Sequence, residues 1–127
     1  MTPELSPSKD DISFGPFRLL VGERRLMKGD AAVDLGARGL DVLIVLASRP
    51  NEIVSKKDLL ALAWPNVHVD EASLRFQVMA VRRALGDGVE GGRHIATVPG
   101  RGYCFVATVS RPRDHNGSGL LWQRLSP

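Results

Sequence analysis

The sequence contains no apolar run of about 18 residues, the length that a membrane-spanning helix needs. The N-terminal stretch MTPELSPSKDD lacks the apolar core of a secretory signal peptide. The single cysteine, Cys104, has no second cysteine with which to form an internal disulfide. These absences argue against a membrane-spanning chain and against a disulfide-stabilised secreted protein. We therefore expect a cytoplasmic location.

Residues typical of enzyme and metal sites are few and widely spaced. No two of His68, His94 and His115, nor any of them with Cys104, have the spacing of metal ligands. The stretch PGRGY lies between two apolar runs typical of strands, whereas a phosphate-binding glycine loop precedes a helix. We predict no enzyme activity, no metal site and no cofactor. Cys104, which alternates with Tyr103, is expected to be a small core residue.

The positive charge is small but unevenly distributed. The chain has 17 Lys and Arg against 14 Asp and Glu, a net charge of +3. Residues 1–70 hold nine basic and ten acidic residues, whereas residues 71–113 hold seven arginines against Glu71, Asp87 and Glu90. Arginine presents a planar fork of donors that fits phosphates and base edges. A solvated basic face explains this distribution equally well, so charge alone does not decide the function.

Composition divides the chain into one domain between two polar tails. Residues 1–11 are polar with no apolar pattern and are predicted to be disordered. Residues 110–127 are predicted to be a polar linker or C-terminal tail. Residues 12–109 contain every apolar stripe described below, and we predict that they fold independently.

The domain begins with predicted strands and ends with a predicted hairpin. Short apolar runs up to about Leu35, separated by glycine-containing turns, predict three or four antiparallel strands. Near the C-terminus, HIATV (94–98) and YCFVA (103–107) are predicted to pair around Pro99-Gly100-Arg101-Gly102. This hairpin would place an arginine at a tip bounded by two glycines.

Three helices are predicted between the strands and the hairpin, over residues 37–50, 55–64 and 71–86. Ser55 and Asp70 are the expected N-caps of the second and third helices. Apolar residues at helical spacing define the faces expected to point to the core. They are Leu40, Leu43, Ile44 and Ala47, then Leu59, Leu62 and Ala63, then Leu74, Val78, Val81 and Leu85.

The opposite face of the third helix is unusual for a solvent-exposed surface. It comprises Ala72, Ser73, Arg75, Phe76, Met79, Ala80 and Arg83, with Arg82 at its edge. In a DNA major groove, small residues permit close approach, arginines reach phosphate or guanine, and an apolar ring contacts a thymine methyl. Alternatively, Phe76 and Met79 pack on the hairpin or on a partner chain.

The hairpin adds a second feature that favours DNA. An arginine at a narrow glycine-bounded tip can enter a minor groove, whose negative potential attracts it. Taken alone, Gly100-Arg101-Gly102 is more simply a turn with a solvated arginine. Helix and tip together favour DNA binding.

Four stretches of the sequence match a known pattern: FGPFRLL, LDVLIVLASRPNEIVSKKDLLALAWP, VDEASLRFQVMAVRRALGD and RHIATVPGRGYCFVA. Through them, residues 12–109 resemble the OmpR/PhoB-type winged-helix DNA-binding domain of bacterial transcriptional regulators. The resemblance implies an α+β winged helix-turn-helix fold with an N-terminal antiparallel sheet of four strands, three helices and a C-terminal β-hairpin wing. It implies a recognition helix, 70–86, in the major groove and a wing, 94–107, at the minor groove.

The resemblance also implies which residues contact DNA. On the recognition helix these are Ser73, Arg75, Phe76, Gln77, Met79, Ala80 and Arg82, and Arg83 on the same face completes the predicted set. In the wing they are Thr97 and Arg101. Many members have a further basic residue where this chain has Met79 or Ala80, which implies fewer contacts to bases and phosphates.

Further partners follow from the same resemblance. The connector WPNVHV is similar to a loop that some members use to touch RNA polymerase, which makes Asn66, Val67 and His68 predicted polymerase contacts. We expect no receiver domain before the first strand, an order typical of members in which a sensor, ATPase-like or repeat domain follows. The predicted function is sequence-specific binding of double-stranded DNA to regulate transcription, and whether a homodimer forms on DNA stays open. The alternative is a winged-helix protein-interaction module with Phe76 and Met79 at its interface.

Overall fold

The computed structural model describes residues 11–87 and 93–110. The strands are β1 (Ile12–Phe14), β2 (Phe17–Leu20), β3 (Arg25–Lys28), β4 (Ala31–Ala32), β5 (Ile53–Val54), β6 (Ile95–Val98) and β7 (Gly102–Phe105). The helices are α1 (Ala37–Ala47), α2 (Lys56–Ala63) and α3 (Glu71–Leu85). None of these three helices has the length and apolarity needed to cross a membrane. The order of elements confirms the predicted winged helix-turn-helix.

The N-terminal sheet is an antiparallel meander in the order β1-β2-β3-β4, as predicted. Ile12 pairs with Leu19, and Leu19 pairs with Leu26, so one face of the sheet carries all three side chains into the core. Residues between them alternate to the outer face, as the two-residue period of a strand requires. The sheet therefore has one buried and one solvated side.

Helix α1 is the centre of the core. Seven of its 11 residues are buried, because α2, α3 and β7 all pack against it. The helix ends at Ala47, three residues before the predicted end at Pro50. Proline has no N–H to continue the helix and disfavours helical angles in the residue before it. Asn51 then adopts a left-handed φ of 66°.

Helix α2 follows its predicted cap but exposes a residue predicted to be buried. The Ser55 hydroxyl accepts a hydrogen bond from the Asp58 backbone N–H at 3.0 Å, which confirms the N-cap. Leu59 is fully buried, whereas Leu62 is 46% exposed, so the prediction for Leu62 is wrong. The buried face is centred between Leu59, Leu60 and Ala63, and at 100° per residue Leu62 lies about 105° from that centre.

Helix α3 matches its predicted pattern closely. The Asp70 carboxylate accepts a hydrogen bond from the Ser73 N–H at 2.9 Å and caps the helix. The four residues of its apolar stripe are all buried: Leu74, Val78, Val81 and Leu85. Gly86, at a left-handed φ of 74°, ends the helix as expected.

The wing belongs to a three-stranded sheet in the order β5-β7-β6 rather than to a hairpin alone. Strand β5 was not predicted, because two residues carry no alternation pattern. A Cβ on Gly102 would lie 2.0 Å from the Val54 carbonyl oxygen, so only glycine lets β7 approach β5 this closely. Cys104, paired with Ile53, is buried, as predicted for a core residue.

The described chain ends beside its own first strand. Ser13 and Ser110 exchange two backbone hydrogen bonds of 2.8 Å. Apart from Asp11 and Ser110, the predicted tails lie outside the described residues. Independent folding of residues 12–109 stays a prediction.

Candidate nucleic-acid interface

The outer face of α3 is exposed where the sequence placed a DNA-binding surface. Phe76 is 66% exposed and Met79 is 51% exposed, so neither packs on the hairpin. Around them Ser73, Arg75 and Arg83 are exposed, and Gln77 and Ala80 are half-buried. In the described parts of the chain, no hydrogen bond or ion pair engages the guanidinium of Arg75 or Arg83. This face therefore combines apolar side chains with cations whose donors are unused within the described residues.

Arg82 of α3 contacts the wing directly. Arg82 donates from Nε to the Ile95 carbonyl at 3.2 Å and from Nη2 to the Thr97 hydroxyl at 2.5 Å. Its guanidinium also lies over the Tyr103 ring, 5.9 Å from the ring centroid. Arg82 therefore contacts both strands of the wing. The predicted DNA contacts of Arg82 and Thr97 stay predictions, and both residues already have this internal contact.

The start of the wing is anchored by a carboxylate that sequence reasoning missed. Asp87 Oδ1 accepts from the His94 N–H at 3.0 Å and lies 2.5 Å from His94 Nδ1, and Oδ2 accepts from the Ile95 N–H at 3.1 Å. Since a carboxylate in its charged form only accepts, this contact requires the His94 tautomer with a proton on Nδ1. The His94 ring packs edge-on against Phe14 and Phe17 of the N-terminal sheet. No spacing rule links these residues, so only the fold reveals the junction.

The tip of the wing is a short turn that exposes its arginine. Val98 pairs with Gly102, and the Arg101 N–H donates to the Val98 carbonyl at 2.9 Å. Pro99 followed by Gly100 at a φ of 75° is the combination that a type II turn favours. The Arg101 side chain is exposed and has no bonded partner among residues 11–87 and 93–110. Its predicted place at the tip is confirmed, and its contact with DNA stays a prediction.

Arg38, an arginine of α1, borders α3 on the side away from the wing. The Arg38 guanidinium lies over the Trp64 ring, 5.4 Å from the centroid. The Trp64 indole N–H donates to Asp41 Oδ2 at 3.1 Å. Arg38 and Trp64 line a cleft of about 590 Å³ together with Ser73 and Gln77. Sequence reasoning did not identify Arg38.

The connector between α2 and α3 presents the predicted polymerase contacts side by side. Asn66, Val67 and His68 are all exposed, and Val67 is 50% exposed. Val67 and His68 line a groove of about 570 Å³, with Lys56 and Lys57 at the start of α2. The structure brings the three residues together, and their partner is untested.

Two carboxylates at the start of α3 are held in their charged form. The Ser73 backbone N–H donates to Asp70 and lowers the pKa of its carboxyl. The Lys56 ammonium, 2.9 Å from Glu71 Oε2, lowers the pKa of Glu71 through a side-chain hydrogen bond. Negative charges at this position are stabilised by the positive end of the helix dipole. Consequently, DNA phosphates are expected to bind cations beside or beyond the first turn of α3 rather than the backbone of that turn itself. No group of three His, Cys, Asp or Glu able to hold a metal occurs in the described segments.

The sequence matches a family of regulatory domains. Residues 30–105 match the model described as transcriptional regulatory protein, C terminal. A cholera toxin homolog transcriptional activator from Vibrio parahaemolyticus is 34% identical over 85 residues, which cover 65% of this chain and 29% of that protein. The chain spans less than a third of the length of the curated relatives it matches.

Solved structures show the same fold. The DNA-binding domain of E. coli CadC superposes with a TM-score of 0.72 at 22% identity, covering 84% of this chain and 99% of that chain. The Klebsiella pneumoniae RstA DNA-binding domain, solved in complex with the RstA box, gives a TM-score of 0.65 at 28% identity. That match covers 76% of this chain and 96% of the RstA domain.

Proposed function

Because the chain belongs to the OmpR/PhoB-type family of transcriptional regulator DNA-binding domains, we propose that it binds double-stranded DNA sequence-specifically and thereby regulates transcription. One observation carries the proposal: a helix face with free arginines and an exposed phenylalanine lies next to a wing that the same helix holds in place. Such a function needs access to chromosomal DNA, which puts the domain in the bacterial cytoplasm. The family is one of DNA-binding domains rather than of enzymes.

Recognition is assigned to the outer face of α3 in the major groove. Arg75 and Gln77 read base edges, since a guanidinium pairs with guanine and a carboxamide with adenine. Phe76 contacts a thymine methyl, and Arg83 contacts the backbone. Met79 adds an apolar contact, and the small Ala80 lets the helix approach the base edges closely.

The wing is assigned to the adjacent minor groove. Arg101 at the exposed turn enters the groove, where the negative potential is greatest over A·T-rich sequence. Arg82 and Thr97 hold β6 against α3, so the turn meets the DNA at a fixed offset from the helix. Any contact of these two residues with phosphates adds to that internal role.

Selection of bound sequences from a random DNA pool, with the full chain, tests the proposal. We expect an enriched motif and an affinity that falls steeply with salt, because bound arginines release counterions from the phosphates. Two copies on one operator would appear as two half-sites in the enriched motif. A chain that enriches no sequence and shows no salt-dependent binding would support the protein-interaction alternative instead.

The connector supports a second contact, with RNA polymerase. The observation that supports it is the exposure of three consecutive residues beside the groove of α2: Asn66, Val67 and His68. Asn66→Ala and His68→Ala should change transcription from a target promoter while leaving DNA affinity intact. Asp34→Ala, an exposed change on the loop before α1, serves as the control. Unchanged transcription in both connector variants would remove the polymerase contact.

A further inference from the structure

We propose that Arg38, in the first turn of α1, binds a DNA backbone phosphate on the flank of α3 that faces away from the wing. This assignment rests on the proposed DNA-binding function and adds a residue from outside the recognition helix and the wing. It rests on three observations: the guanidinium is free, its position is fixed, and it shares a cleft with α3.

The donors of Arg38 are available. The residue is exposed, and within residues 11–87 and 93–110 no hydrogen bond or ion pair uses its five N–H donors. Its one described contact is with the ring of Trp64, at 5.4 Å from the centroid. A guanidinium that contacts an aromatic ring in this way can still donate to a phosphate.

The Trp64 ring that Arg38 contacts is itself held in place by neighbouring residues. Trp64 is only 5% exposed, and its indole N–H donates to Asp41 at 3.1 Å. The other oxygen of Asp41 accepts from Arg24 at 2.5 Å, and Arg24 also donates to the Ala37 carbonyl at 3.2 Å. The ring is therefore held by α1 and by the turn between β2 and β3. A guanidinium held on such a ring loses less conformational entropy when it binds a ligand.

The position of Arg38 relates it to the recognition helix. Ser73 and Gln77, one turn apart on α3, line the same cleft of about 590 Å³ as Arg38. At 100° per residue they lie on the flank of α3 opposite Arg82, which faces the wing. A helix in the major groove has a phosphate backbone on each side. The wing side would meet one backbone, and Arg38 is placed to meet the other.

The acidic residue in this cleft makes no ion pair with Arg38. Asp70 also lines the cleft, but its carboxylate accepts the capping bond of Ser73 and makes no ion pair with a described cation. His68 is the remaining titratable group there. The Arg38 guanidinium itself, rather than the cleft as a whole, is therefore the group available to an anion.

Salt titrations with the full chain test the assignment. Binding of wild type, Arg38→Ala and Arg38→Lys is measured against salt concentration, on the selected operator and on a random duplex of equal length. Arg38→Ala should reduce the magnitude of the slope of log K against log salt by about 0.9. It should also lower the affinity for both DNAs by the same factor, because a phosphate contact carries no sequence information. Arg38→Lys keeps the charge and should retain most of the slope. Arg18→Ala, an exposed arginine of β2, should match wild type.

Each other result overturns the assignment. An Arg38→Ala slope equal to that of wild type removes the phosphate contact, and a loss confined to the operator makes Arg38 a base contact instead. A lowered melting temperature with an unchanged slope makes Arg38 structural. A slope for Arg38→Lys as low as that for Arg38→Ala excludes a simple charge contact. A wild-type chain that binds neither DNA overturns the proposed function itself, a result distinct from the four others.

Discussion

Helices α1 and α3 pack against each other but use their surfaces in opposite ways. Helix α1 buries seven of its 11 residues, whereas α3 buries four of 15 and exposes Phe76 and Met79. Packing therefore specifies most side chains of α1, and Arg38 in its first turn is an exposed exception. The outer residues of α3 are not needed to fill the core, and a large exposed aromatic ring gains nothing from folding. Fold and DNA binding are thus assigned to different surfaces of neighbouring helices.

The largest effect should separate these two surfaces. Leu43→Ala in α1 deletes a fully buried side chain and should lower the free energy of unfolding by about 2–5 kcal/mol. Phe76→Ala should leave stability almost unchanged and weaken operator binding by about 1 kcal/mol, without changing the salt slope. Denaturant unfolding and operator titration of both variants provide the comparison. Equal destabilisation by the two changes would mean that Phe76 belongs to the core.

The second effect concerns sequence discrimination by α3. Arg75→Ala and Gln77→Ala should each reduce the preference for operator over random DNA by about 1–3 kcal/mol if a bidentate base contact is lost. Their stability should stay near wild type, since Arg75 is exposed and Gln77 only half-buried. Competition binding with both DNAs measures the preference. Equal weakening on both DNAs would limit the residue to phosphate contact.

The third effect is at the wing tip. Arg101→Ala should lower the salt slope by about one unit and relax any preference for A·T pairs beside the site. Its melting temperature should match wild type, because the side chain has no described partner to lose. Arg25→Ala, an exposed arginine of β3, provides the control. Binding equal to wild type at every salt concentration would make the wing a purely structural hairpin.

The smallest expected effect is on acid stability, and it arises from the different N-caps of α1 and α3. Helix α1 starts at Gly36 with no side-chain cap, whereas the Asp70 carboxylate caps α3 and has a lowered pKa because the Ser73 N–H donates to it. The ionised cap stabilises the fold fully above the ordinary pKa of about 3.9, and this contribution is lost as pH falls through the lower folded value. Asp70→Asn keeps an acceptor but cannot titrate, so its acid destabilisation should be shallower. Melting temperatures of both proteins across acid pH check this, and identical profiles would contradict it.

Local patterns predicted the elements that depend on neighbours in sequence. The apolar stripe and cap of α3 repeat within a single helix, so they could be recognised without tertiary information. Strand β5 depends on pairing with β7, about 50 residues away, and two residues leave no periodic signal. Leu62 was misplaced because a helix of eight residues buries a strip too narrow to locate from spacing alone.

The features of the candidate site also divide into those that local sequence predicts and those that depend on tertiary contacts. Exposure of Phe76, Met79 and Arg101 follows from their positions in a helix and a turn, and it was predicted correctly. The contact of Arg82 with the wing and the stacking of Arg38 on Trp64 join residues from different elements. Such contacts arise only after the chain has folded, and no spacing rule encodes them.

The joining of α3 to the wing at two places has a consequence for the DNA. Arg82 and Asp87 each bond to the beginning of β6, so α3 and the wing behave as one stiff body. If α3 and the wing bind two adjacent grooves as proposed, their spacing is fixed, and a duplex whose own geometry differs from it would have to bend or twist. The elastic cost of that distortion varies with the base steps that are deformed. Base pairs between the two grooves should therefore influence affinity although no side chain touches them.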